Sequence, residues 1–240
     1  MTPTELKNVT LISVDGTDDP ERAVRALKYS SREISFNSIK ILACKKPNNL
    51  SNNIEYCPIS RIDLKGYNKL VISQLYKYLN TDFCIIIQPD GFILNACNWM
   101  DEFLRYDYIG APWPAEMFDG IIVTNYKKPP ENIVRIGNGG FSLRSKRILE
   151  EASNLEFIDC PEDNFFCYIM REQLEKRGLL YAPVELGSKF SVEHPIGYLK
   201  HKDKLFDYIY FSYTDIDYSK YFGFHGKFHP SLINKLNEIE

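Results

Sequence analysis

The chain has 240 residues, of which 44% are hydrophobic and 14% aromatic, so it can build a full core. A net charge of −3 gives no global electrostatic case for nucleic-acid binding. Met1 to Asn8 is polar and no apolar run approaches the ~18 residues of a spanning helix, so neither a signal peptide nor a membrane anchor is expected. Six cysteines without a CxxC pair read as buried free thiols in a reducing cytoplasm rather than as a zinc site.

Val9 to Val14 reads as a first strand, ending in Asp15-Gly16-Thr17-Asp18-Asp19-Pro20. Pro20 in a first helical turn, capped by Asp18 or Asp19, opens a helix expected to run to about Ile34. Ser38 to Cys44 is a second strand, followed by Lys45-Lys46-Pro47 and an Asn-rich loop. Ile54 to Ile59 fits a short third strand, and Leu64 to Asn80 carries apolar residues at helical spacing.

Phe83 to Ile87 is an unbroken apolar run rich in β-branched residues, the mark of a strand buried on both faces. Gln88-Pro89-Asp90-Gly91 ends it, because proline removes a backbone donor and glycine permits a turn. The order strand, helix, strand, strand, helix, strand predicts a nucleotide-binding α/β half. Right-handed crossovers place the loops after Val14, Cys44 and Ile87 on one sheet edge, around a common crevice. There Asp15 and Thr17 suit a base or ribose, Lys45 and Lys46 suit phosphates, and Asp90 suits a Mg²⁺ or Mn²⁺. The alternatives are a capped turn for Asp90 and solvated loop charges for the lysines. Neither GxGxxG nor a P-loop is present.

Trp99 to Leu104 is expected to be a short helix capped by Asn98, followed by the aromatic segment Tyr106 to Trp113. Phe118 to Pro130, with Lys127 and Lys128, reads as a surface loop able to close over a site. In Gly137-Asn138-Gly139-Gly140-Phe141, the glycines either admit a ligand close to the backbone or mark a tight bend. Ser145 caps a helix over Lys146 to Ser153. Pro161 sets Glu162 and Asp163 in the first turn of a helix expected to reach Arg177, where acids serve as caps or as a general base. Segments 182–185 and 190–194 read as short strands or loops closing the site. In the tail, Phe222-Gly223-Phe224-His225-Gly226-Lys227 offers an imidazole and an ammonium, the histidine being either a ligand or a structural residue.

As a set, QPDG (88–91), YDYIGAPW (106–113), GNGGFSLR (137–144), PEDNFF (161–166), FSVE (190–193) and FGFHG (222–226) carry a resemblance. In this order they resemble the GT-A glycosyltransferases, and within them a family of bacterial and viral proteins long described as a domain of unknown function. The resemblance implies an α/β fold: one GT-A-like domain over residues 1–240, with a mixed, mostly parallel sheet flanked by helices. About 1–100 would be the nucleotide-binding half and about 101–240 the acceptor half. It implies transfer of a sugar from a nucleotide-sugar, by default a UDP-sugar, to a glycan or lipid-linked glycan hydroxyl. The expected setting is surface polysaccharide or lipopolysaccharide synthesis in the cytoplasm, with at most peripheral contact at the inner membrane face.

Residue by residue, Asp90 matches the last acid of the GT-A metal motif and His225 its C-terminal metal ligand, for Mn²⁺ or Mg²⁺. Gln88 stands where that motif often has its first acid, leaving one carboxylate plus His225 for the ion. Asn138, Gly139 and Gly140 match the donor-sugar and acceptor pocket, and Lys227 with the metal would neutralise charge on the leaving diphosphate. Glu162 and Asp163 match the acceptor-side acidic pair, with Asp163 preferred as the general base of an inverting displacement. Two other classes are compatible with the same pattern: a sugar-phosphate nucleotidyltransferase, and an inactive carbohydrate-binding or scaffold protein.

Overall fold

The computed structural model describes residues 4–113, 135–194, 196–200, 206–210, 213–227 and 229–237. The expected surface loop over 118–130 lies outside these residues. The chain opens with strand β1 (Thr4–Asp15), helix α1 (Glu21–Ser30), strands β2 (Ile34–Ala43) and β3 (Ile54–Pro58), helix α2 (Leu64–Ser73) and strand β4 (Phe83–Ile87). It continues through β5 (Gly91–Ile93), β6 (Tyr108–Ile109), β7 (Pro112–Trp113), β8 (Arg135–Ile136) and β9 (Phe141–Ser145) to helix α3 (Lys146–Ser153). Helices α4 (Glu162–Asn164), α5 (Arg171–Lys176) and α6 (Val184–Phe190) follow. The last elements are β10 (Ser191–Val192), β11 (Ile196–Lys200), β12 (Phe206–Tyr210), β13 (Gly223–His225) and helix α7 (Pro230–Asn237).

Among the described residues, the central sheet has six strands in the order β3-β2-β1-β4-β9-β6. β1, β2, β3 and β4 run parallel, while β9 runs antiparallel to both β4 and β6. This is the mixed, mostly parallel α/β sheet that the resemblance implied, its parallel strands being those of the expected α/β half. The apolar run of β4 explains its place: Ile85, Ile86 and Ile87 are fully buried between two neighbours and two layers. Because β1, β2 and β4 are parallel, Asp15, Ala43 and Ile87 end on one edge. β9 starts there, with Gln88 N donating to Gly140 O at 3.0 Å.

A second sheet, β10-β13-β5, lies at that edge. β13 pairs antiparallel with β5, setting His225 opposite Gly91, and parallel with β10, setting Phe224 beside Val192. Phe92 and Phe224 meet edge to face across it at 4.5 Å.

Several local expectations change. α1 stops at Ser30, where Ser31 Oγ turns back onto Leu27 O, so β2 begins at Ile34 rather than Ser38. Its extra residues pair with Thr4 to Leu6 of a β1 longer than expected, across an irregularity between Leu6 and Thr10. Neither Asp18 nor Asp19 caps α1; the cap residue is Pro20. The expected helix over 64–80 breaks at Gln74, whose φ of −136° leaves the helical region, and resumes as a 3₁₀ turn over Leu75–Tyr78. Asn98 caps no helix; a 3₁₀ turn runs over Asp101–Arg105 behind Met100. Ser145 does cap α3, accepting from Ile148 N.

The expected continuous helix from Glu162 is interrupted by a π turn over Phe165–Ile169, closed by Met170 N donating to Phe165 O. Tyr181 Oη donates to Phe166 O there, giving that carbonyl a partner outside the helix. Of the two segments expected as short strands or loops, 182–185 runs into helix α6 at Val184, while 190–194 holds the short strand β10. Val184, Leu186, Gly187 and Phe190 are the buried face of α6.

Candidate active site

The small sheet assembles the site. Register sets His225 beside Gly91, and Gly226 N donates to Asp90 O at 2.9 Å, so the Asp90 turn and the end of β13 are locked together. The Asp90 carboxylate Oδ1 lies 3.4 Å from His225 Nε2. Gln88 Oε1 lies 3.2 Å from the same nitrogen, while Gln88 Nε2 donates to Tyr67 Oη at 2.8 Å. On the far side of the ring, His225 Nδ1 donates to Glu193 Oε1 at 2.9 Å. Glu193 follows β10 directly and also accepts at Oε2 from Trp113 Nε1.

Charge dominates this cluster. Burial alone would lower the His225 imidazole, but hydrogen bonds and charges from Asp90 and Glu193 outweigh it and push it up to about 10. The two carboxylates show the converse. Burial would raise each of them, but His225 holds both below the ordinary range. The exposed Lys227 adds a smaller pull on Asp90.

The Gly-rich turn is occupied by this protein's own side chains. A Cβ on Gly140 would sit 2.0 Å from His225 Nε2, one on Gly139 1.9 Å from Glu162 Oε1, and one on Gly137 2.3 Å from the Trp113 ring. The close approach expected of these glycines is therefore made by His225, Glu162 and Trp113. Asn138 is fully buried at φ 66°, with Oδ1 accepting from Phe141 N to close the turn. Gly140→Ala is expected to displace the imidazole from Gln88 and to destabilise the fold by about 1–3 kcal/mol. Thermal unfolding and the ring resonances of His225 in NMR report both, and unchanged resonances would refute the assigned packing.

Glu162 and Asp163 take different parts. Glu162 is 3% exposed and pairs with the fully buried Arg144, Nη1 to Oε2 at 2.5 Å. Arg144 lies over the Tyr108 and Phe166 rings at 4.8 and 4.7 Å. Asp163, half-buried beside them, accepts from Gly139 N at 3.2 Å and Asn164 N at 2.8 Å. Burial first, then the Glu162 and Glu193 charges, push its carboxyl up to about 7. A carboxyl with that pKa can exchange a proton near neutrality.

Asp90, Gln88, His225 and Glu193 thus form one hydrogen-bonded group, and Gly139, Gly140, Glu162 and Asp163 border it. Asp15 and Thr17 stand elsewhere on the same sheet edge. Asp15 is buried and its Oδ1 accepts from Thr17 N, a local turn. Thr17 lines an open depression of about 600 Å³ with Gly16, Arg61, Ile62 and Asp63. Lys45 is exposed at the end of β2. Glu193, Trp113, Tyr67 and Arg144 complete the site; Trp113 and Arg144 lie in the quoted YDYIGAPW and GNGGFSLR stretches, but none of the four had an individual role. Glu193 lies within the quoted FSVE motif, but its partner is distant in sequence and no spacing announces the pair.

Comparison with solved structures finds LgtC, a galactosyltransferase in complex with donor and acceptor sugar analogs. It is 12% identical over 77% of this chain and 75% of that one, with a TM-score of 0.46. An active-site mutant of LgtC is 11% identical over 95% of each chain, at a TM-score of 0.48. A Bacillus anthracis protein assigned as a glucose-1-phosphate thymidylyltransferase, in complex with sucrose, is 12% identical over 74% of this chain and 85% of that one, at 0.39. Comparison with curated proteins finds no match. A family model described as a protein of unknown function, DUF5672, matches residues 53–205, a span holding Gln88, Asp90, the glycine turn, Asp163 and Glu193. The chain belongs to the DUF5672 family.

Proposed function

We propose that this protein is a divalent-metal-dependent glycosyltransferase with one GT-A-like domain, moving a sugar from a UDP-sugar to a glycan or lipid-linked glycan hydroxyl. The observation that carries the reading is the Asp90–His225 pair at the carboxyl edge of the sheet, with 3.4 Å between Oδ1 and Nε2. Two ligands on a small octahedral cation stand about 3 Å apart, so Asp90 and His225 would fit Mg²⁺ or Mn²⁺ once the ion displaces the Nε2 proton that Asp90 now holds. Glu193 on the opposite ring nitrogen is the partner that orients a ligating histidine. Among the described residues, no group of three or more His, Cys, Asp or Glu side chains forms a metal site. The remaining positions on such an ion would fall to donor phosphate oxygens and water.

When bound, the ion supplies positive charge against the diphosphate that leaves. Lys227, exposed and within electrostatic reach of Asp90, adds a mobile ammonium on the same side. Asp163 accepts the proton of the attacking hydroxyl, in an inverting displacement. Glu162, whose charge is engaged by Arg144, acts on Asp163 by raising its carboxyl rather than by sharing its task.

Calorimetric titration of UDP, GDP and CDP, each with Mn²⁺ and with EDTA, tests the reading. UDP is expected to bind with Mn²⁺ and to lose binding in EDTA and in Asp90→Ala. Failure of every nucleotide in both conditions would overturn it and leave a binding or scaffold protein.

A further inference from the structure

The residues behind Glu193 carry an inference that rests on the metal-dependent reading. His229 is 1% exposed and lies just before α7, a helix packed on α1. Its ring turns back toward the site. His229 Nε2 donates to the backbone carbonyl of Glu193 at 2.9 Å, and Nδ1 lies 2.7 Å from Tyr218 Oη. The carbonyl only accepts, so Nε2 carries a proton, and in the neutral ring Nδ1 then accepts from the Tyr218 hydroxyl. The ring is held edge-on against Phe224 at 5.4 Å and Tyr218 at 5.5 Å. Tyr218 itself belongs to a short 3₁₀ turn whose Asp217 side chain accepts from Ser219 N. Phe224 is the residue immediately before His225.

We infer that His229, set by Tyr218, is a positioning residue for the Asp90–His225 pair, fixing the Glu193 main chain so that its carboxylate meets His225 Nδ1. The need for such a brace follows from the sheet. β10 is only two residues long, and its registered partners end at Val192, one residue short of Glu193. The Glu193 carboxylate is shared between His225 and Trp113, so a small rotation of its backbone would trade one partner for the other. His229 ties that backbone to the same strand-and-turn unit that carries His225. The imidazole ligand and the acid that orients it are thereby referenced to one rigid body.

The test uses the whole chain and Mn²⁺ alone as the probe, with free ion counted by electron paramagnetic resonance. His229→Leu is expected to weaken Mn²⁺ binding by about tenfold, the low end for groups that orient a ligand. His229→Gln, whose amide nitrogen reaches the position of Nε2, is expected to restore most of it. Tyr218→Phe keeps the ring but removes the hydroxyl, and is expected to lose a smaller part. In the metal-free chain, the His225 Nδ1 proton resonance should broaden in His229→Leu and return in His229→Gln. Folded variants with wild-type Mn²⁺ affinity and an unchanged resonance would overturn the inference alone. If His229→Leu does not fold, Tyr218→Phe at wild-type affinity does the same. A wild-type chain that binds no Mn²⁺ would overturn the metal-dependent reading and this inference with it.

Discussion

Asp163→Asn is expected to slow sugar transfer by about 10²- to 10⁴-fold while leaving metal and nucleotide binding in place. The same variant has a signature in stability that needs no substrate. The Asp163 carboxyl titrates at about 7 in the fold against an ordinary value of 3.8, so the native state holds this proton more tightly than the unfolded chain. Its contribution is fully present below about pH 4 and is lost as pH rises toward 7, because the unfolded carboxyl ionises first. Denaturant titrations should therefore show the wild type losing stability relative to Asp163→Asn across that window, and no further difference above it. The transfer rate of the wild type should rise across the upper part of the same window as the base ionises. A pH-independent stability difference would remove Asp163 as the group with the raised pKa.

Arg144→Met is expected to destabilise the fold by about 3–5 kcal/mol, since it leaves the Glu162 carboxylate buried without its cation. Arg144 is enclosed by the Tyr108 and Phe166 rings, so no water replaces the guanidinium without opening the core. Arg144→Met combined with Glu162→Leu should recover most of that loss, because an apolar pair of similar volume carries no unpaired charge. A double variant as unstable as the single one would show that packing around Tyr108, not charge, sets the cost. The double variant also asks whether Asp163 keeps its place on Gly139 once its neighbour is apolar.

The strands were legible where burial writes itself into composition. Phe83 to Ile87 could be placed because a strand covered on both faces must be apolar throughout, and the Asp90 turn because proline and glycine end it. Ser145 was legible because a serine before Lys146 to Ser153 satisfies an open amide. The glycines before Phe141 announced a close approach but not its occupants, since His225, Glu162 and Trp113 arrive from three other parts of the chain. The pairing of Glu193 with His225 had no local signal, because it depends on β10 and β13 lying side by side. Helix α6 was missed for a different reason: its buried residues at 184, 186, 187 and 190 fit a short strand nearly as well as a two-turn helix.

The small sheet β10-β13-β5 also sets an order of events. Its strands come from the middle of the chain, from well after α5 and from near its last described helix, so their contacts carry high loop-closure entropy and are expected to form late. During synthesis, β1 to β4 and β9 can already pair while β13 is still unmade. The growing chain thus acquires its scaffold first. Asp90 and Glu193 meet one imidazole only when Gly223 to His225 pairs between their two strands, so the candidate site is expected to close after the scaffold that carries it.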